Sequence, residues 1–197
     1  PTDEFESRFE ASAGDFNARS LGGVLGGGLD ADGNWAGRLA AQRYRSDGFR
    51  RNSFLNRSDT NGYDETTVRG RLRWNAGADL KLLFTGMWVD LDNGYDAFSL
   101  DNSRVTLSDK PGRDAQRSQA GSLRAEYTGN EHFTVSSATA VADSRIRYSF
   151  DGDWGHDAIY DFTSRFLRRH NTQSEDLRLA SRERAAAAGD WAWVAGL

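Results

Sequence analysis

The sequence contains no cysteine, only two prolines among its 197 residues, and no long run of apolar residues. Without cysteine the chain has no disulfide framework and no thiolate that could bind a metal or act as a nucleophile. Because no run approaches about 18 to 20 apolar residues, a transmembrane helix is excluded. The formal net charge is −4, and no basic patch stands apart from acidic residues, which argues against a general nucleic-acid surface. The opening stretch PTDEFESRFE is acidic and does not resemble a signal peptide, so we expect either a mature start or an internal piece.

Glycine and aromatic residues are abundant instead. The 21 glycines favour tight turns and close approach of backbone segments over helix. Aromatic residues make up 12% of the chain and include six tryptophans, a composition unlike that of a disordered protein. We therefore expect a folded protein without much helix.

Residues 68–74, VRGRLRW, alternate between arginine and mostly apolar side chains. A period of two indicates a β-strand with one polar and one apolar face. Similar alternation recurs in about nine segments, most of roughly the 9 to 11 residues that a tilted strand needs to cross a bilayer. The candidate strands are residues 4–13, 18–29, 35–45, 66–74, 80–90, 117–127, 133–143, 171–180 and 191–197.

The links between these strands differ in length on the two sides of the predicted sheet. On one side they are short, apart from the last, which is ten residues long: 30–34, 75–79, 128–132 and 181–190. On the other side, after a short first link at 14–17, they are long: 46–65, 91–116 and 144–170. Structureless loops of more than about 12 to 15 residues are uncommon in compact domains, so three on one side require a functional reason.

Aromatic residues lie next to the short links. Trp35, Trp74, Phe133 and Trp191 each adjoin one, and Tyr127 is one residue further in. In an up-and-down sheet these side chains would form a girdle at one level. Outer-membrane β-barrels combine such a girdle with short periplasmic turns, long extracellular loops and strands that alternate apolar-out with polar-in. The sequence therefore predicts an all-β, antiparallel up-and-down meander of about nine strands, part of a barrel.

This interpretation assigns the two faces of the arginine-rich strand. Leu72 and Trp74 are expected to face lipid, and the arginines Arg69, Arg71 and Arg73 a wet lumen. Glu175 falls on the apolar face of its own strand, so we expect it near the outer interface.

A soluble antiparallel sandwich has the same alternation and remains an alternative. It would be a soluble or surface-attached binding module, for example for glycans, whose sugar rings stack on Trp and Tyr. The two folds differ in the surroundings of Leu72, Trp74 and Leu82. In a barrel these side chains face lipid or detergent, whereas in a sandwich they pack against a second sheet.

Residues 9–52 resemble the first barrel strands of the TonB-dependent receptors of the bacterial outer membrane. The resemblance continues through 64–90, 171–181 and 191–197. One departure is GGGL at 26–29, where the family often has Gly-Pro-Leu. The resemblance implies a receptor that imports a scarce, bulky ligand, in most members a ferric siderophore and in others cobalamin, haem or an oligosaccharide.

The resemblance also implies what else such a receptor contains. Family members begin with a TonB box and a plug domain, have barrels of about 22 strands, and receive energy through TonB contacting the plug. It therefore implies that residues 1–197 are an N-terminal portion of the barrel, with the plug and the remaining strands absent. The implied partners are outer-membrane lipid, an extracellular ligand and, through the plug, TonB.

No motif argues for catalysis, a cofactor or a resident metal. The DADGN stretch at 30–34 resembles part of a calcium loop but lacks the further ligands and the glutamate at position 12, so a hairpin turn is expected. The DGDWGHD stretch at 151–157 has metal-ligand residue types, but no second histidine is near it.

Arginine and aromatic side chains in the long loops would suit an anionic or partly aromatic ferric chelate. The candidate ligand contacts are Tyr95, Phe98, Arg104 and Arg113 in the second long loop and Tyr148, Trp154 and Tyr160 in the third. For each of these residues, ordinary anchoring of the loop remains the alternative.

Overall fold

A computed structural model describes residues 1–182 and 191–197, which fold as strands and connecting loops. The strands are β1 (Glu6–Ala13), β2 (Arg19–Gly28), β3 (Trp35–Ser46), β4 (Arg51–Asn52), β5 (Tyr63–Asn75), β6 (Leu80–Tyr95), β7 (Val105–Thr106), β8 (Gly112–Tyr127), β9 (Phe133–Asp151), β10 (Thr163–Ser181) and β11 (Val194–Gly196). In the described part of the chain, no helix has both the length and the apolar character to cross a membrane.

A nine-stranded sheet in the order β1-β2-β3-β5-β6-β8-β9-β10-β11 makes up most of the structure. Every neighbouring pair in it is antiparallel. The sheet is open, with β1 and β11 at its edges. The predicted antiparallel up-and-down meander is confirmed.

The sandwich alternative is wrong. Within the described residues, the strands of the large sheet follow one another in chain order without a Greek-key crossing. The other sheet is a two-residue parallel pair, β4 with β7, which joins two loops and does not cover the large sheet.

Most strands extend further at the long-loop end than the sequence predicted. β6 continues to Tyr95, β8 begins at Gly112, β9 continues to Asp151 and β10 begins at Thr163. The long loops are consequently shorter: loop A (47–62), loop B (96–111) and loop C (152–162). The prediction ended each strand where its apolar face ended, but the hydrogen-bonded ladder continues beyond that point. The predicted link 181–190 falls for the most part on 183–190, which lie outside the described residues.

The strand register separates the side chains into two faces, because directly opposite residues of antiparallel strands point the same way. Trp35, Trp74 and Leu82 occupy one row, and this face is called the outer face. Arg71 is opposite both Arg38 and Thr85 on the other side, called the inner face. The predicted separation of Leu72 and Trp74 from Arg69, Arg71 and Arg73 is therefore confirmed.

The single-layer sheet has almost no hydrophobic core. Within residues 1–182 and 191–197, Ala36 is the only fully buried apolar side chain. On the outer face, Leu25 and Leu39 remain about half exposed, at 50% and 52%. An extended exposed apolar surface of this kind marks a site that another molecule or a membrane covers.

Glu175 does not lie near the end of the outer face, so that expectation is wrong. Its partner Thr139 is itself opposite Leu123, in the same row as Phe84, well inside the apolar stretch. Ser137 Oγ donates a hydrogen bond to Glu175 at 2.9 Å, and Thr139 Oγ1 donates another. These hydroxyls supply polar partners that an isolated carboxylate on an apolar face would lack.

Candidate ligand-binding site

An aromatic cluster occupies the inner face at the end that carries loops A, B and C. Its members are Tyr95 of β6, Tyr148 and Phe150 of β9, Phe166 of β10, Phe98 of loop B and Trp154 of loop C. The ring centroids of Tyr95 and Tyr148 are 4.9 Å apart, and those of Phe98 and Trp154 are 5.0 Å apart with an interplanar angle of 14°. Phe98 also contacts Phe150 at 5.9 Å, and Tyr148 contacts Phe166 at 6.1 Å.

Gly112 allows rings from two non-adjacent strands to meet. β8 lies between β6 and β9, so the outer two backbones are roughly 9 to 10 Å apart. Gly112 is the β8 partner of Tyr95 and has no side chain to separate that ring from Tyr148. A Cβ atom at Gly112 would collide with the Ser149 carbonyl group. The position therefore requires glycine, and the cluster forms across it.

Trp154 is held in an unusual backbone conformation. Its φ angle is 61°, in the left-handed region that a bulky residue rarely adopts. Its side chain stacks on Phe98 and stays 40% exposed. A bulky residue retained in such a conformation is a pointer to a functional constraint.

A buried polar network joins loops A and B. Asn52 Nδ2 donates to Asp96 Oδ2 at 2.9 Å and to the Ser108 carbonyl at 2.7 Å, and Thr106 Oγ1 donates to Asp96 Oδ2 at 2.7 Å. Asn52, Asp96, Thr106 and Ser108 are all buried. Since Asp96 directly follows Tyr95, the network fixes the backbone that carries the β6 side of the aromatic cluster.

Loop C is attached to the same unit. The Asp109 amide donates to the Gly155 carbonyl at 2.9 Å, and the Phe54 ring stacks on His156 at 4.4 Å. Lys110 forms an ion pair with Asp161, and this bond raises the pKa of Lys110. The three loops therefore form one connected structure beside the aromatic cluster.

Solved structures resemble this arrangement. The ferric yersiniabactin uptake receptor FyuA from Yersinia pestis matches 94% of this chain with a TM-score of 0.79 at 16% identity, and the match covers 29% of that receptor. FpvAI in its complex with pyocin S2 matches 92% with a TM-score of 0.66 at 16% identity, over 24% of its length. The ferric-catecholate import receptor Fiu from E. coli K12 matches 92% with a TM-score of 0.60 at 15% identity, over 28% of its length.

The open sheet of this chain has the fold of part of the barrel of the TonB-dependent receptors. At these identities the likeness concerns the fold, and the chain spans less than a third of each receptor. The proteins that it resembles are transport receptors. No protein-family model matches the sequence, and no curated protein is significantly similar to it.

In this open sheet, four of the predicted ligand contacts come together in the aromatic cluster: Tyr95, Phe98, Tyr148 and Trp154. The placement of Tyr95 and Tyr148 in loops is wrong, since both lie in strands. The sequence analysis did not identify Phe150 and Phe166 as members of the cluster. Phe166 of β10 is directly opposite Tyr148 of β9, and Phe150 follows Tyr148 by two residues, so all three side chains point to the same face. Extending the alternation of β9 beyond residue 143 would have placed Phe150 on the same face as Tyr148.

Arg113 is not part of the cluster. It lies in β8, not in a loop, and points to the outer face, where it forms an ion pair with Asp92. Arg104 is exposed in loop B, and its carbonyl accepts a bond from the Arg51 amide at 3.0 Å. Tyr160 is 71% exposed and has no aromatic neighbour within the described residues.

The aromatic residues at the short-link end lie at the opposite end of the sheet from the aromatic cluster, and those in the strands are on the outer face. Trp35 and Trp74 stack at 4.9 Å with an interplanar angle of 5°. Tyr127 and Phe133 lie on the same outer face, Tyr127 opposite Leu80 and Phe133 opposite Ser181. Trp191 lies outside the strands and is 91% exposed.

The DADGN stretch is a hairpin turn, as expected. Both carboxylate oxygens of Asp30 accept backbone hydrogen bonds, from Asn34 at 3.2 Å and Trp35 at 2.8 Å. Gly33 has a φ of 69°, which this turn requires and glycine adopts readily.

Proposed function

We propose that residues 1–197 are the N-terminal part of the barrel of a bacterial outer-membrane receptor. In this proposal further strands close the barrel, a plug domain fills it, and TonB supplies energy through the plug. The ligand is bulky and scarce, with a ferric siderophore as the best candidate. Its support is the fold shared with FyuA and Fiu, whose names describe uptake of ferric yersiniabactin and ferric catecholate.

The aromatic cluster carries the proposal for ligand binding. It lies on the face that would line the lumen and at the end where the long loops leave the sheet, so a ligand arriving from outside would meet it first. Rigid aromatic side chains surrounded by adaptable polar loops are typical of recognition surfaces. The connections among loops A, B and C hold the rings in place before any ligand binds, which lowers the entropic cost of binding.

The outer face supports the membrane placement. On β5 the outer-face side chains from Trp74 to Val68 carry no charge, and the stacked Trp35 and Trp74 rings lie at one end of that stretch. Tryptophan at the end of an apolar band is typical of the lipid–water interface of outer-membrane barrels. The inner-face arginines would then face water in the lumen.

The test replaces Tyr95, Phe98 and Trp154 together with alanine in the complete receptor, expressed at the cell surface. Binding of a panel of radiolabelled ferric siderophores to whole cells should weaken at least about tenfold for the cognate ligand, because aromatic anchors contribute on the order of 2 kcal/mol each in recognition sites. Surface expression should stay normal, since Tyr95→Ala keeps its backbone hydrogen bonds at the end of β6, and Phe98 and Trp154 lie in loops.

The matched control replaces three loop aromatics outside the cluster, Phe49, Tyr160 and Phe162, with alanine. This variant should bind like the wild type. Unchanged binding by the cluster variant at normal surface levels would remove the cluster from the ligand site. An equal loss in the control would show that contacts are spread over the loops.

A further inference from the structure

Charged side chains gather on the outer face near the loop end. From the short-link end, the outer-face positions of β5, β6, β8 and β9 are uncharged for about ten residues and then become charged. The first charged outer-face residues are Asp64 on β5, Asp90 on β6, Arg117 on β8 and Asp143 on β9. Two strands differ: on β3 the first charge, Arg43, lies slightly closer to the short-link end, and on β10 Glu175 lies within the otherwise uncharged stretch.

The distance from the short-link end of the sheet to these charges matches the thickness of the hydrocarbon layer of a membrane. This comparison rests on the proposed outer-membrane location. A strand rises about 3.4 Å per residue. With a tilt of about 40°, ten residues span roughly 25 Å along the membrane normal, the height of the apolar band of outer-membrane barrels. The charges therefore begin where the hydrocarbon layer would end on the loop side.

Arginine dominates this level. The outer-face arginines here, called the arginine belt, are Arg19, Arg43, Arg45, Arg113, Arg117, Arg145, Arg147, Arg165 and Arg169. The aspartates among them are Asp64, Asp90, Asp92 and Asp143, while Asp151 at the same end is buried. The belt is thus positive in a chain whose formal net charge is −4.

The aspartates do not neutralise the belt. Asp64 is shared by Arg43 and Arg45, each at 2.8 Å. Asp143 is shared by Arg169 at 2.8 Å and Arg145 at 3.8 Å. Within the described residues, Arg147 and Arg165 have no ion-pair partner.

A groove of about 550 Å³ lies within the belt between β6 and β10. Its lining includes five arginines of the belt, Arg113, Arg117, Arg145, Arg147 and Arg169, together with Leu167. Asp90 and Asp92 also line it and pair with Arg117 and Arg113, so the arginines remain in excess. The Arg117, Arg145 and Arg169 side chains are 62%, 69% and 59% exposed, so their guanidinium groups are accessible. Guanidinium forks bind phosphate oxygens in pairs, which makes arginine the preferred partner for phosphate groups.

We propose that the arginine belt binds the phosphate groups of anionic lipids in the outer leaflet of the membrane, with the groove holding one headgroup. A lipid fits both halves of this surface, because its phosphate would meet the arginines and its acyl chains the apolar band directly below. Val141 and Trp88 are the nearest apolar side chains below the charged rows on β9 and β6. A free anion would use the arginines alone.

The test uses the complete receptor, purified in a zwitterionic detergent and titrated with a fluorescent diphosphorylated lipid A. The belt variant is Arg117→Gln, Arg145→Gln and Arg147→Gln together. Its affinity for the lipid should fall on the order of 100-fold, the loss expected for three arginines at an anionic membrane surface. Lipid A with both phosphates removed should bind the wild type as weakly as the intact lipid binds the variant.

The control variant removes the same charge from the inner face through Arg8→Gln, Arg124→Gln and Arg178→Gln, each of which has its own ion pair with a glutamate or aspartate two residues away. It should bind lipid A like the wild type. Inorganic phosphate should not displace the lipid at comparable concentrations.

Wild-type affinity in the belt variant, an equal loss in the control, or displacement of the lipid by inorganic phosphate would overturn the proposal. Failure of the underlying membrane location gives a different result. In that case the receptor would leave the cell envelope in buffer without detergent, whereas failure of the belt alone would leave it in the membrane.

Discussion

Asn52 connects three parts of the loop structure through one side chain. Its amide donates to Asp96 and to the Ser108 carbonyl, while its oxygen accepts a bond from the Leu55 amide at 2.8 Å. Asn52, Asp96 and Ser108 are buried, and the bond to the Leu55 amide is partly buried, so water does not readily replace these hydrogen bonds. No other residue type of this size offers donors and an acceptor together in this geometry.

Replacing Asn52 with alanine should loosen loops A and B without unfolding the sheet. The substitution leaves the Asp96 carboxylate with fewer donors and the Leu55 amide without an acceptor, at a cost of about 2 to 4 kcal/mol to the loop structure. Hydrogen exchange of residues 47–62 and 96–111 should accelerate. Asn171→Ala, on the exposed surface of β10, is the control and should change neither region; unchanged exchange in the Asn52 variant would contradict the role of the network.

Strand register decides which side chains meet in this protein. Ser122 on β8 is opposite Ala140 on β9, and both lie on the inner face. A slip of one residue would move every side chain of a strand to the other face. The aromatic cluster depends on this register, because Tyr148 and Phe150 reach Tyr95 only while β9 is aligned with Gly112.

The register can be tested with introduced cysteines, since the natural chain has none. Ser122→Cys with Ala140→Cys should form a disulfide on mild oxidation, because directly opposite residues have Cα separations suited to the bond. The control, Ser122→Cys with Val141→Cys, places the second thiol on the outer face and should remain reduced. Gel mobility after oxidation reports the outcome, and cross-linking of the control pair instead would show that the register is shifted by one residue.

At the scale of the whole molecule, the sheet is polar on one face and apolar on the other, with almost nothing packed against the apolar face. Phe84 and Thr85 are neighbours in β6 that point to opposite faces: Phe84 is opposite Leu72, and Thr85 is opposite Arg71. In the proposed barrel Phe84 meets lipid near the middle of the apolar band and Thr85 meets water.

An arginine placed at these two positions should therefore have different effects. Phe84→Arg should destabilise the folded barrel by about 2 to 4 kcal/mol, the cost of arginine on the lipid face near the bilayer midplane. Thr85→Arg should cost much less, because water on the inner face would hydrate the new charge and screen its repulsion from Arg71 on the opposite strand. Urea unfolding of the complete receptor in lipid vesicles measures the difference, and equal destabilisation by the two variants would argue against lipid contact at Phe84.

The sequence by itself determined the class of fold, the separation of the side chains of β5 into two faces, and the position of Trp35 and Trp74 next to short links. The pleat of a strand makes alternate side chains point in opposite directions, so the pattern VRGRLRW was enough to separate Leu72 and Trp74 from the arginines. Short links between consecutive strands were enough to predict a meander, because only antiparallel neighbours can be joined in this way.

Only the tertiary structure decided the extent of the strands and the composition of the candidate site. Apolar alternation ends where the apolar environment ends, whereas backbone hydrogen bonds continue, so Arg113 proved to be a strand residue on the outer face. The contact between Tyr95 and Tyr148 depends on the register of three strands and on the missing side chain of Gly112. The bonds from Asn52 to Asp96 and Ser108 join residues that are 44 and 56 positions apart in the chain. A local sequence pattern cannot predict contacts between residues so far apart.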